Sequence, residues 1–218
     1  GLDTFDWLKD RAKSPSVVVD VGGITELQGI EVNGDGMRIG AMTRLQELVS
    51  HPEVNARHPI LANAAERVAT PQIRHQGTLG GNVAQDTRCW YYRSGWPCYR
   101  AGGNTCYANA PDALNREHAI FDSNRCVAVT PTDTGPALVA LDAQMEVQSV
   151  SGTRMVPAEN FFIGYVTFGG NKVQPRPLYP VRPRELPQPY PTARTRASTL
   201  PSCDVTGSRH KSAPQRMW

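Results

Sequence analysis

No run of eighteen apolar residues occurs in the 218-residue chain, so no membrane-spanning helix is expected. The first residues, Gly1-Leu2-Asp3-Thr4-Phe5-Asp6-Trp7, lack a basic region followed by an apolar one, and the sequence therefore predicts no secretory signal. The close Cys-x2-4-Cys pairs of structural zinc sites are missing. Missing too are the spaced glycines of the dinucleotide fingerprint and the Gly-Lys-Ser/Thr ending of a P-loop. His75 and His118 stand in no cysteine or carboxylate arrangement that suggests nucleophilic catalysis, and they read as surface or packing residues. Five cysteines, four of them in one stretch, do not form the framework of a secreted disulfide protein; in a reducing compartment they read as thiolate ligands, which predicts a cytoplasmic location.

Charge is distributed unevenly. Residues 165–218 hold nine Lys or Arg against two acids, and half of the eighteen prolines. Pro175, Pro177, Pro180, Pro183, Pro187 and Pro189 forbid a long helix or central strand there, so a disordered or polyproline-like Pro/Arg-rich tail is expected. With few aromatics and no reading motif, this tail does not point to nucleic acid. Upstream, Ser16–Val21 reads as a buried strand and Met37–Ala41 as a second, after the turn Asn33-Gly34-Asp35-Gly36. Thr43 reads as the N-cap of a helix through Val49. Pro59–Val68 reads as a helix with Ile60, Leu61, Ala64 and Ala65 as its apolar stripe. Further on the expectations are a strand at Val127–Val129, a helix at Gly135–Leu141 and a strand at Gln144–Val150. Such alternation fits an α+β fold.

Two stretches carry chemistry. In Gly77-Thr78-Leu79-Gly80-Gly81-Asn82, bare glycine backbone, a hydroxyl and an amide form a turn of the kind that can hold a phosphate. Cys89, Cys98, Cys106 and Cys126 then follow with gaps of 8, 7 and 19 residues, ahead of Pro131-Thr132-Asp133. Four thiolates can bind an iron–sulfur cluster or zinc, and the wide gaps favour the cluster. Trp90, Tyr91, Tyr92, Trp96, Tyr99 and Tyr107 crowd the cysteines. They would shield such a group from water or lend the loop apolar mass.

Ala69-Thr70-Pro71-Gln72-Ile73-Arg74, the glycine turn, Pro131-Thr132-Asp133, Pro136-Ala137-Leu138 and the upstream Val19-Asp20-Val21-Gly22-Gly23-Ile24 together resemble the FAD-binding subunit of molybdenum hydroxylases, the xanthine dehydrogenase and carbon monoxide dehydrogenase family. The resemblance runs from about residue 10 to residue 164. Gln85-Asp86-Thr87-Arg88-Cys89-Trp90 and Gly102-Gly103-Asn104-Thr105-Cys106 are similar, more narrowly, to the flavin subunit of 4-hydroxybenzoyl-CoA reductase. The resemblance implies an FAD-binding domain of the PCMH type, a mixed or antiparallel sheet with flanking helices. It further implies that residues 1–34 are the remnant of a first FAD-binding subdomain and that 35–164 form a second, with a cysteine loop at 86–126.

Site roles follow from the same resemblance. FAD falls to Ile73, Thr78, Leu79, Gly80, Gly81, Asn82 and Asp133, with the backbone N–H groups of the 78–82 turn on the diphosphate. A [4Fe-4S] cluster falls to Cys89, Cys98, Cys106 and Cys126. Asp133 also reads as an ordinary cap before the 135–141 helix, and Ile73 as a core residue. The implied function is electron transfer between FAD, iron–sulfur clusters and an external carrier, ferredoxin or NAD. The implied partners are a large molybdenum-cofactor subunit and a small [2Fe-2S] subunit. A zinc-binding interaction module, or an inactive fragment from a truncated or frame-shifted reading frame, is the alternative.

Overall fold

The computed structural model describes residues 1–34, 36–120 and 125–162. The Pro/Arg-rich tail expected over 165–218 lies outside the described residues. Helix α1 (Leu2–Lys9) opens the chain and buries Trp7. The strand expected at 16–21 does not form: Val17, Val18 and Val19 are between 62 and 76% exposed. A β-branched run supplies propensity only, and among the described residues no strand runs beside it to supply pairing.

β1 (Ile30–Asn33) and β2 (Gly36–Ile39) form an antiparallel hairpin, with Ile30 opposite Ile39 and Asn33 opposite Gly36. Gly34 takes the positive φ that so tight a connection needs. After β2 a Cβ at Gly40 would stand 2.2 Å from the Leu27 carbonyl oxygen, so this expected strand ends at Ile39. Thr43 is not a cap. It is 1% exposed and its hydroxyl donates to the Gly29 carbonyl at 2.9 Å, locking the hairpin base. Helix α2 (Leu45–Ser50) starts after Arg44, whose N–H donates to the Glu47 carboxylate at 3.4 Å.

Three helices that each open on proline follow: α3 (Pro52–Arg57), α4 (Pro59–Glu66) and α5 (Pro71–Gln76). Proline at the first helical position loses nothing, because that N–H has no partner within a helix. In α4 the buried face is Leu61, Ala62 and Ala65, while Ile60 is 46% exposed; the expected stripe is rotated by one residue. α6 (Leu79–Val83) and α7 (Trp90–Arg93) are short. The expected strand at 127–129 is irregular chain whose Val127 carbonyl accepts from the Ala119 N–H at 2.9 Å. α8 (Gly135–Ala140), the hairpin of β3 (Gln144–Ser149) and β4 (Gly152–Pro157), and α9 (Ala158–Phe161) complete the α+β architecture.

Two apolar clusters form. The larger joins Leu45 and Leu48 of α2, Val54 of α3, Leu61 and Ala65 of α4, Leu79 and Val83 of α6, and Leu138 of α8. The smaller belongs to the cysteine loop and joins Cys89, Ala108 and Val127, with Tyr91, Tyr92, Cys106 and Ala128 packed around them. Leu48 is wholly buried. Leu48→Ala should lower the unfolding free energy by about 2–5 kcal/mol, read from urea denaturation.

Candidate functional site

The glycine stretch is zipped to the chain that follows β2. The Leu79 N–H donates to the Thr43 carbonyl at 2.9 Å, the Gly80 N–H to the Ala41 carbonyl at 2.8 Å, and the Leu45 N–H to the Gly77 carbonyl at 3.0 Å. A Cβ at Gly80 would lie 2.8 Å from the Ala41 carbonyl oxygen, so this glycine makes room for the protein's own backbone. Thr78 caps α6, its hydroxyl oxygen accepting from the Gly81 N–H at 3.1 Å. The Asn82 N–H completes the turn on the Thr78 carbonyl at 2.9 Å. The N–H groups of residues 79 to 82 are therefore all used within the protein. Among the described residues the Thr78 hydroxyl donates its own hydrogen to no partner.

Asn82 is 7% exposed, and its side chain points inward, to the loop that follows the cysteines. Its Oδ1 accepts from the Thr132 hydroxyl at 2.9 Å, the Thr134 hydroxyl at 2.8 Å and the Thr134 N–H at 3.1 Å. Its Nδ2 donates to one carboxylate oxygen of Asp133 at 3.0 Å. Asp133 is exposed and presents its other oxygen freely. The cap at the start of α8 is made by Thr132, whose hydroxyl accepts from the Gly135 N–H at 3.1 Å, and Asp133 takes no part in it. Leu79 packs in the main core. Ile73 is 39% exposed on α5 and is not a core residue.

Between these loops, Asp86 gathers charge. Its carboxylate accepts from Lys13 Nζ at 2.8 Å, from Arg100 Nη2 at 2.7 Å and from the Tyr92 hydroxyl at 3.1 Å. Burial alone would raise its pKa, but the Lys13 hydrogen bond and the Arg100 charge bring it down to about 2. Asp3 of α1 accepts from the Asp86 N–H at 2.8 Å and from Arg93 at 2.8 Å, and is bonded to Arg88 as well. Trp7 meets the Tyr92 ring edge-on at 5.2 Å. These contacts fasten α1 to the cysteine loop. Gln85 pins the two ends of that loop together, donating to the Asn82 carbonyl at 2.9 Å and the Pro131 carbonyl at 3.0 Å.

The four cysteines, spread over residues 89–126, line one cavity together with Tyr91, Tyr107 and Arg100. Cys89, Cys98 and Cys106 each stand immediately before a helical turn: α7, Tyr99–Ala101 and Tyr107–Asn109. Burial pushes the Cys89 thiol up; the N–H groups of Tyr92 and Tyr91 act against this, and the neighbouring Cys98 and Cys106 add to it. The Cys126 thiol is raised by burial, with the Ala128 N–H opposing. Gly103 closes the lobe, because a Cβ there would lie 1.8 Å from the Pro97 carbonyl oxygen. Tyr91, Trp96 and Tyr107 pack ring to ring, with centroids 4.8 to 6.0 Å apart. Among the described residues no three His, Cys, Asp or Glu side chains are placed to share a single metal ion.

One cavity-lining residue carries no local signal in the sequence. His118 reaches the same cavity, and both its ring nitrogens are buried without a hydrogen-bond partner among the described residues. Only its place between Cys106 and Cys126 could have hinted at this.

The family described as "FAD binding domain in molybdopterin dehydrogenase" matches residues 1–176. The chain belongs to this family. It is 34% identical over 167 residues to the aldehyde oxidoreductase FAD-binding subunit PaoB of Escherichia coli (strain K12), a match covering 74% of this chain and 52% of that protein. Over 169 residues it is 34% identical to the carbon monoxide dehydrogenase medium chain of Hydrogenophaga pseudoflava, covering 77% of this chain and 44% of that one. The crystal structure of carbon monoxide dehydrogenase from Hydrogenophaga pseudoflava which lacks the Mo-pyranopterin moiety of the molybdenum cofactor superposes with a TM-score of 0.51. It is 28% identical and covers 77% of this chain and 44% of that chain. The chain spans about half the length of the curated relatives it matches.

Among the described residues this surface presents the Thr78 hydroxyl, Gly81, one oxygen of the exposed Asp133 and the exposed Ile73. The backbone N–H groups of the expected cradle at 79–82 make hydrogen bonds within the protein that fix the shape of the loop.

Asn82→Ala should cost on the order of 3 kcal/mol, because it strands Thr132, Thr134 and Asp133 at once; thermal unfolding measures this. Asp86 has its pKa depressed in the folded protein. Its stabilisation is thus complete above the ordinary carboxylate pKa near 3.8 and is lost as pH falls through about 2. Thermal stability of the wild type and Asp86→Asn should differ by about 2 kcal/mol near pH 6, and the gap should close between about pH 4 and pH 2.

Proposed function

We propose that the chain is the FAD-binding, electron-transferring part of a molybdenum hydroxylase-type oxidoreductase, with a [4Fe-4S] cluster held in its cysteine loop. The observation that carries this reading is the meeting of four sequence-distant thiols in one cavity, directly joined through Gln85 to the loop pair 78–82 and 131–134. Bound FAD accepts and releases electrons singly or in pairs, and an iron–sulfur cluster exchanges them singly. The protein's own residues hold and orient. Thr78 donates its hydroxyl hydrogen to the diphosphate, Asp133 accepts from a nucleotide hydroxyl, and Ile73 packs beside the flavin. Leu79, Gly80, Gly81 and Asn82 keep that surface in shape. Tyr91 and Tyr107 line the cysteine cavity and limit the access of water to it.

The spacing of the cysteines favours a cluster over zinc, because gaps of 8, 7 and 19 residues are wider than the Cys-x2-4-Cys pairs of structural zinc sites.

The loop resembles that of the flavin subunit of 4-hydroxybenzoyl-CoA reductase. On that likeness the cluster lies between FAD and an external carrier, ferredoxin or NAD. Substrate chemistry belongs to a large subunit with the molybdenum cofactor, and a small [2Fe-2S] subunit joins the two.

The test is the purified protein's visible spectrum with iron, sulfide and flavin analysis. About four iron and four sulfide per chain, together with flavin, are expected; a colourless protein with stoichiometric zinc would overturn the reading. Cys106→Ser should lose the iron while sparing FAD binding, and equal loss of both would contradict the division between cysteine loop and flavin surface.

A further inference from the structure

A buried imidazole with neither nitrogen bonded is costly, and native proteins resolve such groups with a partner, an ion or water. Both ring nitrogens of His118 are in this state among the described residues. The ring is held where it is. The His118 N–H donates to the Asn115 carbonyl at 3.0 Å, and the next residue's N–H, at Ala119, donates to the Val127 carbonyl at 2.9 Å. The second bond sets His118 beside the chain segment that carries Cys126. Asn115 is in turn fixed by its side-chain amide, which donates to the Ala108 carbonyl at 3.2 Å. The ring lines the cavity shared by the four thiols.

The other polar groups around that cavity are differently employed. Arg100 is committed to Asp86 through two hydrogen bonds, and the Tyr91 hydroxyl accepts from the Leu114 N–H at 3.0 Å. Backbone N–H groups already serve Cys89 and Cys126. Among the described residues, His118 is the cavity-lining side chain whose polar atoms are buried with no hydrogen-bond partner at all. An N–H donated to cluster or thiolate sulfur withdraws electron density and stabilises the reduced, more negative state.

We propose that His118 donates a ring N–H to a sulfur of the cluster bound by Cys89, Cys98, Cys106 and Cys126, and thereby raises its reduction potential. This rests on the cluster reading above. Uniform 15N labelling of histidine in the full chain, followed by pulsed paramagnetic resonance of the reduced protein, tests it directly. A weak nitrogen coupling is expected, and it should vanish in His118→Leu. The variant should keep its iron, sulfide and FAD but show a more negative midpoint potential, and His118→Gln should restore part of the shift through its amide N–H.

An unchanged potential in His118→Leu, or no nitrogen coupling in the wild type, would overturn the donor role while leaving the cluster intact. A strong coupling, with iron lost from both folded variants, would make the ring a ligand and overturn it too. A wild-type protein without iron would instead remove the cluster reading itself, so the two failures are distinct.

Discussion

One buried amide holds the site together. Asn82 sits at the end of the glycine stretch, yet every partner of its side chain lies about fifty residues further on, in 132–134. An Asn side chain offers one acceptor and one donor group, and here both are engaged. Its carbonyl oxygen satisfies two hydroxyls and a backbone N–H that would otherwise be buried without partners. Its amide fixes the one exposed carboxylate of the neighbourhood, Asp133. Shape on the flavin side of the domain thus depends on a polar contact in a setting where an unmade hydrogen bond is expensive.

A second polar centre does the equivalent work on the other side. Asp86 begins the cysteine loop and takes Lys13, Arg100 and Tyr92 at once, while its own backbone N–H goes to Asp3. A carboxylate with two cations and a phenol about it remains ionised even where it is partly buried, because the charges compensate one another. Three arginines and a lysine are thereby converted from repelling surface charges into the joint between α1 and the loop. The aromatic rings of Trp7 and Tyr92 fill the space beneath, and Lys13 lies 4.1 Å from the centre of the Trp7 ring.

Local chemistry was legible in the sequence; distant pairing was not. The helix opened by Pro59 and the turn at Asn33-Gly34 were legible because proline and glycine act locally on the chain, whereas the helices opened by Pro52 and Pro71 and the strand Ile30–Asn33 were not read. The valines at 17–19 mislead, since a strand exists only with a neighbour. Thr43 has the chemistry of a cap and spends it on Gly29, a residue brought near by the hairpin. The glycine stretch was recognised as a loop that must be bare, but the reason at Gly80 is the backbone of Ala41, thirty-nine residues earlier. The four cysteines were visible as a set, and the cavity they share agrees with that. His118 offered no pattern at all, because its significance lies wholly in what surrounds it.

The two hydrogen bonds of Gln85 bear on how such a domain can diversify. By drawing Asn82 and Pro131 to a common point, they bring the entry and exit of the intervening cysteine segment side by side at the domain surface. A segment whose ends already meet can be lengthened, shortened or exchanged with little entropic cost to the framework beneath it. The cysteine loop is in this sense a cassette, exchangeable as a unit while the loops that frame it keep their shape.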